Sequence, residues 1–192
     1  MKKHKIKRNI QKNLLIYIIA FLIFTMAVTL GTLKVSKLET EQYEALKEIT
    51  DNIFIADENI NYSHVIKTGI IDNLKIVAFI FVCSVSYGTS FFSFLPVAYK
   101  GFAIGFTSGF VLYAYGIKGI LYLLSTVVIE GVIKLPVMMN MSVMCINYTL
   151  EKKKHRENTT AYFGYVIVAY LIMACLSIIN GIVSSFIIGR FN

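Results

Sequence analysis

The chain has 192 residues, 56% of them hydrophobic and only 16% charged, against about 25% charged in soluble domains. Its mean hydropathy is +0.66, and its apolar stretches leave no room for a separate soluble catalytic domain. The net charge of +8 points to anionic lipid heads and not to nucleic acid, because no basic stripe with interleaved aromatics lies in a soluble region.

Residues 1–13 form a basic tail with Lys2, Lys3, Lys5, Lys7, Arg8 and Lys12. Residues 14–33 follow without a charge, long enough for a helix to cross about 30 Å of hydrocarbon. The tail resembles the start of a signal peptide. The apolar core is too long for one, however, and no Ala-x-Ala site precedes Lys34, so an uncleaved anchor is expected.

Residues 34–75 are the only sizeable water-exposed segment, with eight acids against five lysines. Val35, Leu38, Gln42, Ala45, Ile49 and Phe54 recur at helical spacing, with Glu39, Glu41, Glu44 and Glu48 on other faces. An amphipathic helix of four or five turns is expected, interrupted near residues 56–62, after which Ser63 could cap a second short helix. Leu38, Tyr43, Leu46 and Ile49 are the candidates for docking an external partner, or for packing the segment onto its own bundle.

Residues 76–97 and 101–117 are the next two charge-free runs, separated by a short segment ending in Lys100. Within the second of them Gly101, Gly105 and Gly109 stand four residues apart, with phenylalanines between. At 3.6 residues per turn this makes one bare stripe on a helix. Such a stripe costs stability in water, about 1 kcal/mol per glycine relative to alanine. In a bilayer it lets two backbones approach. Gly101, Gly105 and Gly109 are therefore expected to pack against another helix, whereas Gly119, in a turn, should tolerate a side chain better.

Residues 119–150 are interrupted only by Glu130 and Lys134, four apart and opposite in sign, followed by Pro136 and Asn140. At ~1.5 Å per residue the run exceeds one crossing, so a tilted or broken polar helix is expected. Charges at membrane depth face the bundle interior or water. Glu130 and Lys134 are thus either a self-neutralising pair that holds helices together or the lining of a polar path. A second basic cluster, Lys152, Lys153, Lys154 and Arg156, precedes the last apolar run at 162–188.

Together these predict an all-α integral membrane protein, residues 1–192 as one domain, with about five transmembrane helices. The basic residues place the N-terminus in the cytoplasm, since segments 1–13, 98–100 and 151–157 hold eleven Lys or Arg against seven in the outer segments. Cys83, Cys145 and Cys175 lie in apolar runs without C-x-x-C spacing and read as small buried hydrophobes. The three histidines, His4, His64 and His155, are far apart, the spans hold no aspartate dyad, and no H-E-x-x-H occurs. No catalytic, cofactor or metal residue is assigned, and no enzyme is expected.

Asp72-Asn-Leu-Lys75, Lys100-Gly-Phe-x-x-Gly-Phe-Thr-x-Gly-Phe110 and Gly116-Ile-Lys-Gly119, in this order after a basic tail and an acidic loop, resemble the stage II sporulation protein M family. The wider family often reads His-Gly-x-x-Glu-Leu-Pro in its fourth segment. Here the matching residues are Glu130-Gly131-x-x-Lys134-Leu135-Pro136, so the polar pair is kept while its chemistry changes. The resemblance implies a non-enzymatic scaffold in the plasma membrane, at the septal or engulfing mother-cell membrane. Its implied partners are membrane lipids and stage II sporulation proteins D and P, which degrade peptidoglycan during engulfment of the forespore; a homo-oligomer is possible. The alternative from a different class is a transporter or permease subunit with a path along Glu130, Lys134 and Asn140.

Overall fold

The computed structural model describes residues 13–55, 62–153 and 158–188. The basic tail 1–12, the expected interruption at 56–61, and Lys154 and Arg156 of the second cluster lie outside these. The described residues form helices joined by short turns. These are α1 (Leu14–Val35), α2 (Thr40–Ile55), α3 (Tyr62–Cys83), the single turn α4 (Tyr87–Ser90) with a 3-10 turn (Phe91–Phe94), α5 (Leu95–Val128), a π-helical turn (Ile129–Lys134), α6 (Leu135–Lys153) and α7 (Thr159–Ile188).

Three stretches are long and apolar enough to cross a membrane: Leu14–Val35, Tyr87–Ile117 and Thr159–Ile182. The run 76–97 is not one helix. α3 ends at Cys83 because hydroxyls take over its last carbonyls: Ser84 Oγ donates to the Phe81 carbonyl at 2.6 Å, and Thr89 Oγ1 to the Cys83 carbonyl at 3.0 Å. The chain turns at residues 84–86 and not at 98–100, and Lys100 stands inside α5. A count of missing charges overlooks this break, because serine, threonine and glycine end helices without carrying charge. α3 is a single rod from Tyr62, so Ser63 lies in its first turn and is not a cap.

Both prolines of the chain occupy the second residue of a helix, Pro96 in α5 and Pro136 in α6. Each of these helices follows directly on a helical turn of different winding, the 3-10 turn Phe91–Phe94 or the π turn Ile129–Lys134, so the missing N–H falls where the regular α-helical ladder is only beginning. Pro136 therefore starts α6, and the long fourth run is interrupted just before it by the π turn. A second break comes earlier, at Gly116, with φ 55° and ψ −132° inside α5. Only glycine adopts such angles at low cost. Beyond it the chain folds back, and Gly119 comes against Val111.

The main core lies between α3, α5, α6 and α7, where Val77, Ile80, Val97, Met138, Met141, Cys145, Ala169 and Met173 pack together with Phe24 of α1 against them. Three of these are methionines, whose flexible thioethers fill the irregular space where helices of different tilt converge. Cys83 and Cys145 are buried, whereas Cys175 is exposed, contrary to expectation. It sits on the outward face of α7, beside Ile178, Ile179 and Ile182.

Candidate functional site

Among the described residues, α1 and the first rod of α5 come together backbone against backbone. An added Cβ at Gly101 would stand 2.8 Å from the Phe24 ring and 3.2 Å from Ala27 Cβ. At Gly105 it would collide with the Val28 backbone, and at Gly109 it would come within 3.2 Å of Thr32 Cγ2 and 3.4 Å of Val35 Cγ2. α1 contributes a glycine of its own: an added Cβ at Gly31 would run into the backbone of Phe102 and Phe106. Residue numbers rise together along both helices, so they run parallel. Thr32 fastens the seam, its Oγ1 donating to the Gly105 carbonyl at 3.2 Å. Gly31 was legible only as a lone glycine in an apolar run; its role depends on which helix lies opposite. Gly119 is not the roomier position expected, since an added Cβ would lie 2.7 Å from the Val111 carbonyl oxygen. The open position of that turn is Gly116, where nothing lies within 4 Å but φ is positive.

The polar residues of the fourth run lie in the π turn and in α6. The π turn carries Glu130 and Lys134, and its wider winding removes the strict α-helical facing that a four-residue spacing implies. Lys134 is buried, with 5% exposure; the Glu130 side chain lies outside those described. One helical turn and a half beyond Lys134, Asn140 accepts a hydrogen bond from the Tyr17 hydroxyl of α1 at 2.6 Å. Further along, Ser142 Oγ donates to the Ser93 carbonyl at 2.7 Å, which ties α6 to the 3-10 turn before α5. These contacts satisfy polar groups inside an apolar bundle, where an unmade hydrogen bond costs about 1–3 kcal/mol.

At the other end of the seam α2 folds over the bundle. Tyr43 packs edge-on against Tyr113 (ring centroids 5.4 Å apart) and tilted against Phe110 (5.7 Å). The Tyr115 hydroxyl donates to Asp51 Oδ1 at 2.7 Å. Leu38, Tyr43 and Leu46 all pack against Val35, Phe110 and Val111, whereas Ile49 is 58% exposed. The helix is thus rotated from its expected apolar stripe, and Gln42 and Ala45 face outward. Aromatic contact with α5 and the Tyr115–Asp51 bond set the rotation, neither of which a hydrophobic period can register. A crevice of about 420 Å³ opens between α1, α2 and α5, lined by Thr32, Ser36, Leu38, Tyr43, Gly109 and Tyr113.

A second polar tie joins α3 to α7. Asn73 is buried, and its Nδ2 donates to the Met173 carbonyl at 2.9 Å and to Ser177 Oγ at 2.7 Å. An added Cβ at Gly69 would meet Ser177 and one at Gly181 would meet Ile66, so these two helices are antiparallel. Among the described residues no group of three or more His, Cys, Asp or Glu is placed to hold a metal ion.

The glycine seam, the π turn and the α2 cap all lie within the stretch that matches a known family. The model of the family described as "Stage II sporulation protein M" matches residues 20–187. The chain belongs to that family. It is a sporulation-related membrane protein. The match spans α1 through α7, including the glycine seam, the π turn and the Asn73 tie. No curated protein and no solved structure matches the chain.

Proposed function

We propose that this family member is a non-enzymatic scaffold with five membrane crossings, which holds peptidoglycan-degrading partners at the outer face of the membrane during engulfment. The five crossings are α1, α3, the first rod of α5, the return through the π turn and α6, and α7. What supports the count is direction. α1 and α5 are parallel with α3 between them in the chain, and α3 and α7 are antiparallel. Gly116, inside α5, reverses the chain between its first rod and the stretch that leads through the π turn to α6. The basic tail and the 152–156 cluster then share the cytoplasmic side, as the distribution of basic residues favours. Reporter fusions after Thr50 are expected to report the outside and fusions after Lys154 the cytoplasm; a cytoplasmic signal at Thr50 would sink the arrangement.

The observation that carries the scaffold reading is the α2 cap. Leu38, Tyr43 and Leu46 fix it to the bundle, and Glu41, Glu44, Glu48 and Ile49 face away from it. A rigid acidic face held at the membrane surface suits recognition of a basic partner surface better than chemistry. The proposed partners are stage II sporulation proteins D and P, at the septal or engulfing mother-cell membrane. A tagged copy pulled from sporulating membranes should bring them down. The variant Glu41→Lys, Glu44→Lys, Glu48→Lys should remain at normal abundance and lose them. Retention of both partners by this variant would overturn α2 as the docking element.

The Glu130 and Lys134 pair is structural in this proposal. Glu130→Gln alone should lower protein level, because it removes the acid that accompanies a buried lysine. Glu130→Gln with Lys134→Met should recover both level and engulfment. Normal abundance of the double variant with failed engulfment would count against a structural pair.

A further inference from the structure

α3 carries an ion pair on its outside. Lys75 Nζ lies 3.0 Å from Asp72 Oδ1, and the two side chains are 71% and 52% exposed. Their neighbours on the same face are apolar and open: Phe79 and Val82, with Ile71 at its edge. Asn73, between them, points inward to Met173 and Ser177 of α7. That bond fixes the depth of the pair, because α7 is one of the apolar spans, Thr159–Ile182. Met173 and Ser177 stand about 4 and 10 Å beyond the middle of that span at ~1.5 Å per residue. Both distances are less than the ~15 Å half-thickness of the hydrocarbon. In the five-crossing arrangement, where α3 crosses beside α7, the charges of Asp72 and Lys75 belong to a depth where lipid tails, not water or headgroups, would meet them, and not to the water-exposed segment 34–75 in which the sequence places them. Exposed intramembrane charges normally face protein.

We propose that this face of α3 is the contact between two copies of the chain, with each Asp72 paired to the second copy's Lys75. The proposal rests on the five-crossing arrangement above. Two copies inserted in the same direction are related by a two-fold axis along the membrane normal, which brings equal depths together. Asp72 and Lys75 lie one turn apart, a rise of ~4.5 Å that a lysine side chain easily spans. The face is therefore self-complementary: it offers one acid and one base at nearly the same depth, and a two-fold turns one pair into a closed ring of four alternating charges. A partner helix bearing a single charge would leave one member of the pair unmatched. Ile71, Phe79 and Val82 of the two copies would shield the ring from lipid.

The test uses the full chain in its own membranes, with a photo-activated cross-linking residue at Phe79 and, as a control, at Leu22, an exposed residue of α1. Two differently tagged copies are co-expressed. Phe79 should give an adduct of twice the mass carrying both tags, and Leu22 should not. Asp72→Lys makes the ring all positive and should cut the adduct by about five-fold or more. Asp72→Lys with Lys75→Asp restores alternation and should recover it, while Asp72→Asn should fall between. An absent adduct at Phe79, equal adducts at both positions, an adduct with a different protein, or a swap that reaches normal abundance without recovery would each overturn the proposal. Impermeant labelling of a cysteine placed at Thr50 separates the two layers of inference. Thr50 outside with no dimer adduct removes the interface alone; Thr50 inside removes the arrangement and the interface with it.

Discussion

The α1–α5 and α3–α7 seams join membrane helices by opposite means. In the first, Gly31, Gly101, Gly105 and Gly109 remove side chains until backbone touches backbone. In the second, Asn73 reaches across with two hydrogen bonds while Gly69 and Gly181 make room for the side chains of Ser177 and Ile66. Lipid tails are as apolar as leucine, so helices in a bilayer gain little from burying apolar surface against each other. What remains is van der Waals contact at close range, or polar groups that hydrocarbon cannot satisfy. The difference lies in tolerance. A backbone cannot move aside for a new atom, whereas a side chain often can.

The largest effect should follow from Gly105→Leu, where the obstacle is the Val28 backbone and no rotamer relieves it. Folded protein in membranes, read as monodisperse material after mild solubilisation, should drop at least about ten-fold, as overpacking of several kcal/mol implies. Near-normal recovery would mean that α1 and α5 do not meet there. Asn73→Leu comes next. It removes both bonds to α7 and leaves Ser177 to find another partner, so a loss of about 1–2 kcal/mol is expected, on the scale of interhelical hydrogen bonds in lipid. It should appear as a lower melting temperature in detergent with abundance largely kept. A loss matching that of Gly105→Leu would erase the contrast between the seams.

Tyr17→Phe deletes only the hydroxyl that reaches Asn140 and should cost about 1 kcal/mol. A larger drop would show that this bond organises the polar end of α6 and does not merely tie it to α1. Gly109→Ala should be smallest, near neutral to about 1 kcal/mol, since its closest neighbour is the Thr32 methyl group at 3.2 Å and not backbone. Comparing Gly109→Ala with Gly105→Ala in the same thermal assay isolates the contribution of backbone contact within one seam. Equal sensitivity at the two positions would remove that distinction.

Much of this molecule is written in its sequence. The charge-poor runs dictate helices in a membrane, because a backbone in hydrocarbon must satisfy its own hydrogen bonds. The order of the glycine block, the polar fourth run and the acidic segment is specific enough to indicate the family. Periodicity also foretells α2, although not its rotation. What the sequence does not state is which helix each face meets. Four-residue spacing places Gly101, Gly105 and Gly109 on one side of α5. Only the tertiary structure sets that side against α1, supplies Gly31 in return and makes the two helices parallel. The same holds for residues 84–86, where uncharged hydroxyls end a helix that hydropathy would continue, and for Asn73, whose neighbours in sequence point out while it points in. A residue's type fixes what it needs, whether close contact, a hydrogen bond or an opposite charge. Distant segments provide it, and their arrangement is decided by packing the helices together at once.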